Sequence, residues 1–152
     1  MQTVIRIWFL QALILAGIFP SSINAASPDA VVEAAKKEGA LVFYTSMTVG
    51  QAQEMLNAFK AKYPFLEPKM YRAVGERLLT KIMTEVQAGR YEFDVVQSAE
   101  TQAYFLMKKN LLMKYVSPES KFLPKSFVDP QGYWAAVYIM PNITAFNTQM
   151  VK

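Results

Sequence analysis

The sequence predicts an α/β fold built around a parallel sheet. Three short segments, at residues 41–45, 69–73 and 93–97, are predicted as strands, and the first has the length and composition of a buried strand. Each of them is followed by a longer segment in which apolar residues recur at helical spacing. Strand and helix therefore alternate, which is the arrangement in which parallel strands are joined by right-handed helical crossovers.

Start and stop signals bound the helices between these strands. Ser27 followed by Pro28 predicts the start of a helix that precedes the first strand. Gly39 and Gly89 suit the left-handed stops of this helix and of the one that follows the second strand. Ser98 comes directly after the third strand and is predicted to cap the last helix.

The first strand and the helix after it are joined by a turn that carries hydroxyl groups. The strand ends at Thr45 and Ser46, and helix 48–62 begins with Thr48 and Gln51, the spacing of a capping box. In a parallel sheet such turns lie at the carboxyl ends of strands, where ligands bind. Free N–H groups and the helix dipole favour an anion or a polar ligand there. The alternative is that these hydroxyl groups only cap the helix.

The alternation of strand and helix ends after Leu112. Residues 117–131 contain three prolines among mixed polar residues and are predicted to form an irregular loop. Residues 133–139 and 143–147 are predicted as two further strands. A bend at Pro141–Asn142 separates them, because Pro is poorly tolerated inside a central strand.

Composition excludes several classes of function. The chain has 152 residues, a formal net charge of +4, no Cys and no His. Without Cys there is no disulfide, thiolate nucleophile or Cys-ligated zinc, and without His the usual general base is missing. The charges are interspersed, so the sequence predicts no basic surface for nucleic acid. The length suffices for one domain with its own core.

The N-terminus has the pattern of an export signal over residues 1–26. Arg6 precedes an apolar run at residues 7–19, and small residues follow it. The run is shorter than the roughly 20 residues that a membrane span needs. We therefore predict a signal peptide cleaved after Ala25 or Ala26 and a periplasmic protein. An uncleaved N-terminal anchor is the alternative.

Four segments of the remaining chain carry a resemblance to a known family. They are EGALVFYTS at 38–46, AFKAKYPF at 58–65, EFDVVQSAET at 92–101 and GYWAAVYIMPNITAFNTQMVK at 132–152. They resemble the periplasmic solute-binding proteins of ABC importers, in particular the ferric-iron-binding type of family 1 extracellular solute-binding proteins. The segment between residues 71 and 90 also resembles this family. The order and spacing of the matching segments make the resemblance specific.

The resemblance implies a type II periplasmic binding protein, in which two α/β lobes clamp a ligand between them. It implies a monomer that binds ferric iron or another small polar or anionic solute without turnover and delivers it to the membrane permease of an ABC importer. Residues 27–132 would then form the N-terminal lobe, and residues 133–152 the crossover strands toward a second lobe. Family members are much longer, so the chain is expected to be truncated and to lack that second lobe.

The resemblance also assigns candidate ligand-binding residues to the first two turns that face the cleft. Tyr44, Thr45 and Ser46 match the first turn, and Arg72 and Gly75 bracket the second. A guanidinium group suits a carboxylate or a phosphate, so Arg72 is a candidate for pairing with an anion. A role as an ordinary surface residue is the alternative for Arg72.

The remaining candidates belong to the third turn and to the crossover. Ser98 and Glu100 fall at the turn where iron binders of this type place a carboxylate ligand, so Glu100 is the candidate metal ligand. Its alternative role is that of a carboxylate stabilised by the helix dipole. Tyr138 and Asn142 lie near the crossover and within reach of the cleft, although a buried aromatic is the alternative for Tyr138. Ferric iron is expected as a transported ligand, and no cofactor is expected.

Two other classes of protein remain open. One is an exported α/β enzyme, although the sequence contains no G-x-S-x-G elbow, Walker A loop or G-x-G-x-x-G fingerprint. The other is a membrane-anchored remnant without a ligand, held by residues 7–19. The N-terminus of the mature protein distinguishes this remnant from an exported protein.

Overall fold

The fold is built on a parallel sheet whose strands are joined by helices. The computed structural model describes residues 28–141 and 143–151. The predicted signal peptide, the predicted cap at Ser27 and the candidate residue Asn142 lie outside the described residues. The predicted α/β class with a parallel sheet is confirmed.

The sheet has three strands, in the order β2-β1-β3. They are β1 (Ala40–Thr45), β2 (Glu67–Arg72) and β3 (Val95–Gln97). Both neighbours of β1 run parallel to it, so the carboxyl ends of all three strands meet at one edge of the sheet. The predicted strand positions are confirmed to within two residues at each end.

Asp94 explains why β3 begins two residues later than predicted. Its backbone N–H donates to the carbonyl of Val42 at 3.0 Å. The N–H of Val42 in turn donates to Oδ2 of Asp94 at 2.7 Å. In a regular ladder, the acceptor for this N–H would be a backbone carbonyl of the neighbouring strand. Asp94 is therefore a structural residue at the start of β3, because it supplies the bond that keeps the amide of Val42 paired.

The helices are α1 (Pro28–Glu38), α2 (Val49–Lys62), α3 (Glu76–Gln87) and α4 (Glu100–Lys108). Gly39 follows α1 with a φ of +70°, and Gly89 follows α3 with a φ of +72°, so both glycine stops are confirmed. None of the helices in residues 28–141 and 143–151 is long and apolar enough to cross a membrane.

Helix capping agrees with the sequence prediction in α2 and differs in α4. Thr48 caps α2, and its hydroxyl oxygen accepts from the N–H of Gln51 at 3.4 Å. The prediction that Ser98 caps α4 was wrong, because α4 begins at Glu100 and its N-cap is Ala99. A cap must directly precede the first helical residue, and Ser98 lies one position too early. The Ser98 hydroxyl instead donates to the carbonyl of Ala99 at 3.4 Å.

Helices cover both faces of the sheet. Successive strand residues point to opposite faces, so Phe43 and Tyr44 belong to different clusters. Phe43 packs with residues of the α2 side, and Tyr44 packs with residues of α3 and α4. The chain steps from β1 to β2 in one direction and then to β3 in the other, which places the crossover helices on opposite faces. The buried members are Phe43, Met47, Ala52 and Leu56 in the first cluster and Tyr44, Ala73, Leu78, Ile82 and Leu106 in the second.

The segment after α4 is largely irregular. Two short 3-10 helices, Pro118–Phe122 and Lys125–Phe127, interrupt the predicted loop at 117–131. The two strands predicted at 133–139 and 143–147 were wrong, because no strand forms there among the described residues. Among the described residues, this segment forms one isolated β-bridge, an antiparallel one between Val128 and Ala135. Strand-forming side chains become a strand only when a neighbour pairs with their backbone. The division into a lobe and crossover strands remains a prediction.

Candidate functional site at the carboxyl edge of the sheet

Three polar residues stand side by side where the strands end. Thr45 at the end of β1 is the register partner of Arg72 in β2 and of Gln97 in β3. Helices α2, α3 and α4 all begin close to this edge. Since the chain leaves β1 toward β2 on one side while β3 flanks the other, the edge between β1 and β3 is a topological switch point, where open α/β sheets bind ligands.

The side-chain amide of Gln97 ties this edge together. Its Oε1 accepts from the hydroxyl of Thr45 at 2.7 Å, from the N–H of Ser46 at 3.1 Å and from the hydroxyl of Ser46 at 3.4 Å. Its Nε2 donates to the hydroxyl oxygen of Tyr138 at 3.4 Å. Gln97 therefore links the first turn to a residue 41 positions further along the chain.

The hydroxyl group of Thr45 already donates and accepts hydrogen bonds within the protein. Its side chain is 0% exposed, and its hydroxyl donates to Gln97 while accepting from the N–H of Met47 at 3.0 Å. A hydroxyl group has one hydrogen to donate, so Thr45 has none left for a ligand. Ser46 is half-buried and lies nearer the surface of the same turn.

Arg72 and Tyr138 present hydrogen-bond donors at the same edge. Arg72 is exposed, and its Nε donates to the carbonyl of Met47 at 3.0 Å. This bond holds the side chain against the first turn, and no carboxylate among the described residues forms an ion pair with Arg72. Tyr138 is 40% exposed and accepts from Gln97, so its own O–H hydrogen is left to donate outward.

The other candidates at this edge lie on its periphery. Gly75 is the exposed residue before α3, with a φ of +54° that favours glycine. Ser98 is half-buried, and Glu100 is exposed in the first turn of α4. Among residues 28–141 and 143–151, no group of three or more carboxylates is placed to hold a metal ion.

Tyr44 lies on the opposite face of β1 from Thr45 and belongs to a buried ionic cluster. It is 3% exposed, and its hydroxyl donates to the carboxylate of Glu85 in α3, at 3.0 Å from Oε1 and 3.1 Å from Oε2. Lys81 forms an ion pair with the same Glu85. The ammonium of Lys81 also lies 5.4 Å from the ring centre of Tyr44 and 4.7 Å from that of Tyr71.

Gln97 and Glu85 were not among the candidates predicted from the sequence. Gln97 could have been found as the polar residue that ends the third strand, beside Ser98. Glu85 could have been found as a carboxylate within an apolar helix stripe, between Ile82 and Val86. A buried carboxylate requires a partner, and here the partners are Lys81 and Tyr44.

Comparison with known proteins supports the fold. No protein-family model matches the sequence, and no curated protein matches it. A solved structure of the Trichodesmium protein IdiA (FutA), in complex with iron and citrate ligands, superimposes with a TM-score of 0.55 at 19% sequence identity. The match covers 64% of this chain and 30% of that one, so the chain spans less than a third of the neighbour's length. At this identity the likeness shows the fold alone.

Proposed function

We propose that this chain acts as a periplasmic solute-binding component of an ABC importer and binds a small oxygen-rich anion, or ferric iron accompanied by one, without turnover. The observation that carries the proposal is the set of donors at the carboxyl edge of the sheet, formed by Arg72 at the end of β2 and by Tyr138 beside Gln97 of β3. The neighbour IdiA (FutA) was solved with iron and citrate, which supports a ligand of this class. The proposed partner is the membrane permease of the importer, and the proposed oligomeric state is a monomer.

Hydrogen-bond polarity favours an anion as the direct ligand. The terminal nitrogens of Arg72 donate only, and the free hydrogen of Tyr138 also donates. An acceptor-rich group such as a carboxylate satisfies both, and a planar guanidinium binds it through two parallel bonds. We propose Ser46 and Ser98 as polar neighbours of the ligand. Their hydroxyl hydrogens already donate to Oε1 of Gln97 and to the carbonyl of Ala99, so only their oxygens are left to accept.

Ferric iron would need oxygen ligands in addition to these donors. Glu100 is the proposed protein carboxylate for the metal, because it lies in the first turn of α4 at this edge. Ferric iron is a hard cation that suits carboxylate and phenolate oxygens. An organic anion held by Arg72 would supply further carboxylate oxygens and would balance the charge of the ion.

Isothermal titration of the full chain with citrate, with and without ferric ion, tests the proposed site. Arg72→Gln is expected to weaken citrate binding by about 10- to 100-fold, because a hydrogen bond to a charged group contributes about 1.5–3 kcal/mol. Tyr138→Phe should weaken it less, since it removes one uncharged donor. Arg90→Gln, which changes an exposed arginine paired with Glu92 after α3, is the matched control. Equal affinities for the Arg72→Gln and Arg90→Gln variants would contradict the proposed site.

Export is tested separately from binding. Mass spectrometry of the protein recovered from the periplasm is expected to show an N-terminus at Ala26 or Ser27, because small residues follow the apolar run at 7–19. Replacing Leu13 by Arg interrupts the apolar run and should leave the unprocessed chain in the cytoplasm. Periplasmic or membrane-bound protein that retains Met1 would show that the segment is not a cleaved signal.

A further inference from the structure

A cavity lies in the segment after α4, and none of its lining residues belongs to the strand-end site. It is a cleft of about 330 Å³ between the first 3-10 helix and residues 128–130. This volume is at the lower end of the range of roughly 300–1,000 Å³ that small-molecule sites occupy. Leu123 and Val128 form much of its apolar lining, and Lys121 and Lys125 also line it.

Both walls of the cleft are held by hydrogen bonds. On one side, the hydroxyl oxygen of Ser117 accepts from the N–H of Glu119 at 3.2 Å at the start of the first 3-10 helix. On the other side, the N–H of Asp129 donates to the carbonyl of Trp134 at 3.0 Å. The N–H of Ala136 donates to the carbonyl of Phe127 at 2.8 Å, which closes a short antiparallel loop. Hydrogen bonds to the backbone therefore hold both sides of the cleft.

The turn of this loop depends on Gly132. Its φ is +84°, and a Cβ at this position would lie 2.7 Å from Cγ2 of Val116. Its carbonyl accepts from the N–H of Tyr115 at 2.8 Å. The loop is thus packed against residues 114–116. Because this segment leads into the first 3-10 helix, the contact holds the two walls of the cleft in place relative to each other.

The lining of the cleft carries a net positive charge, from two lysines and one aspartate, which favours an anion. Neither Lys121 nor Lys125 has an ion-pair partner among the described residues. The ammonium of Lys121 lies 4.9 Å from the ring centre of its neighbour Phe122. The carboxylate of Asp129 already accepts from the N–H of Tyr133 at 2.9 Å. Two lysines therefore line the cleft together with one carboxylate, and that carboxylate already accepts a backbone N–H.

We propose that this cleft binds a small organic anion, namely a carboxylate on a compact apolar body. The apolar lining would cover the body of the ligand, and the two ammonium groups would pair with its carboxylate. Lysines suit this role because an ammonium group is a flexible point charge that adapts to the position of the anion. The site is separate from the one at the strand ends and does not depend on the proposed function.

Ligand-observed ¹⁹F NMR with 4-fluorobenzoate on the full chain tests this proposal. The uncharged probe 4-fluorobenzyl alcohol has the same apolar body and is expected to bind more weakly. The double variant Lys121→Gln/Lys125→Gln should weaken 4-fluorobenzoate binding by about fivefold, because two solvent-exposed ion pairs are lost. Binding should also weaken as salt is raised, since exposed charges are screened.

A matched control makes the result specific. The double variant Lys37→Gln/Lys62→Gln makes the same charge change on α1 and α2, and 4-fluorobenzoate should bind it as it binds the parent chain. The proposal is overturned if the alcohol binds as tightly as the carboxylate, or if the Lys121→Gln/Lys125→Gln variant retains full affinity. Failure of citrate to bind at Arg72 would leave this test unaffected.

Discussion

Ile82→Ala is expected to lower the free energy of unfolding by about 2–5 kcal/mol, the usual cost of such a truncation in a packed core. Ile82 is 1% exposed on the inner face of α3, where it belongs to the same cluster as Leu78 and Leu106. The loss has two parts, the transfer free energy of the deleted carbons and the cavity that they leave. Urea denaturation followed by circular dichroism measures it, with an unchanged slope showing that only stability has changed.

The matched control for this prediction is Ile139→Ala. Ile139 is 58% exposed, so the same truncation there should change stability by no more than about 0.5 kcal/mol. Equal losses at the two positions would mean that α3 does not pack on the sheet as the structure describes. A large loss at Ile82 alone would establish the α3 face as the centre of the core.

Lys81→Met is expected to destabilise the protein nearly as much. The substitution keeps most of the apolar stem of the side chain but leaves the carboxylate of Glu85, which is 5% exposed, without its cation. Breaking a fully buried pair costs about 3–5 kcal/mol, and we expect about 2–4 here because the Lys81 side chain remains 30% exposed. The double variant Lys81→Met/Glu85→Gln should recover part of the loss, because the buried charge is then removed. A double variant less stable than Lys81→Met would show that the pair is not what stabilises this cluster.

The same cluster predicts a loss of stability at high pH. Burial and the hydrogen bond to Glu85 raise the pKa of Tyr44 above its ordinary value of 10.0. The hydrogen bond to Glu85 raises the pKa of Lys81 above 10.5. Both groups bind their protons more tightly in the folded state, so their contribution is complete below about pH 10 and is lost as the pH rises through the folded pKa values. Combining Tyr44→Phe with Lys81→Met should therefore flatten the fall in unfolding free energy above pH 10.

The helices and the strands of the sheet could be predicted because their signals are local. The apolar run that became β1 is bounded by Gly39 and by the hydroxyl residues after it, and the stripe on α3 lies between two glycines. These signals depend on the period of each element and on the conformational range of Gly, which are properties of short stretches of chain. For the same reason Thr48 and Gln51 could be identified as a capping box from their spacing alone.

The segment after α4 shows where local signals fail. Its apolar and aromatic residues suggested two strands, but the described residues there form only a single bridge. Whether such residues form a strand depends on what lies beside them, and this is decided by parts of the chain distant in sequence. The cleft lined by Lys121 and Lys125 escaped prediction for the same reason, because it exists only where the loop returns beside the 3-10 helix.

Some features of the candidate site could likewise be predicted from local sequence, and others depend on tertiary packing. The sequence by itself determined that Thr45, Ser46 and Arg72 would lie near the ends of strands, and the rule that parallel strands share a carboxyl edge then predicted that they lie together. Only the tertiary structure decided that Gln97 would join the first turn to Tyr138, and that Tyr44 would turn away to meet Glu85. Period and composition are encoded within a few residues, whereas a hydrogen bond between residues some 40 positions apart depends on how the whole chain packs.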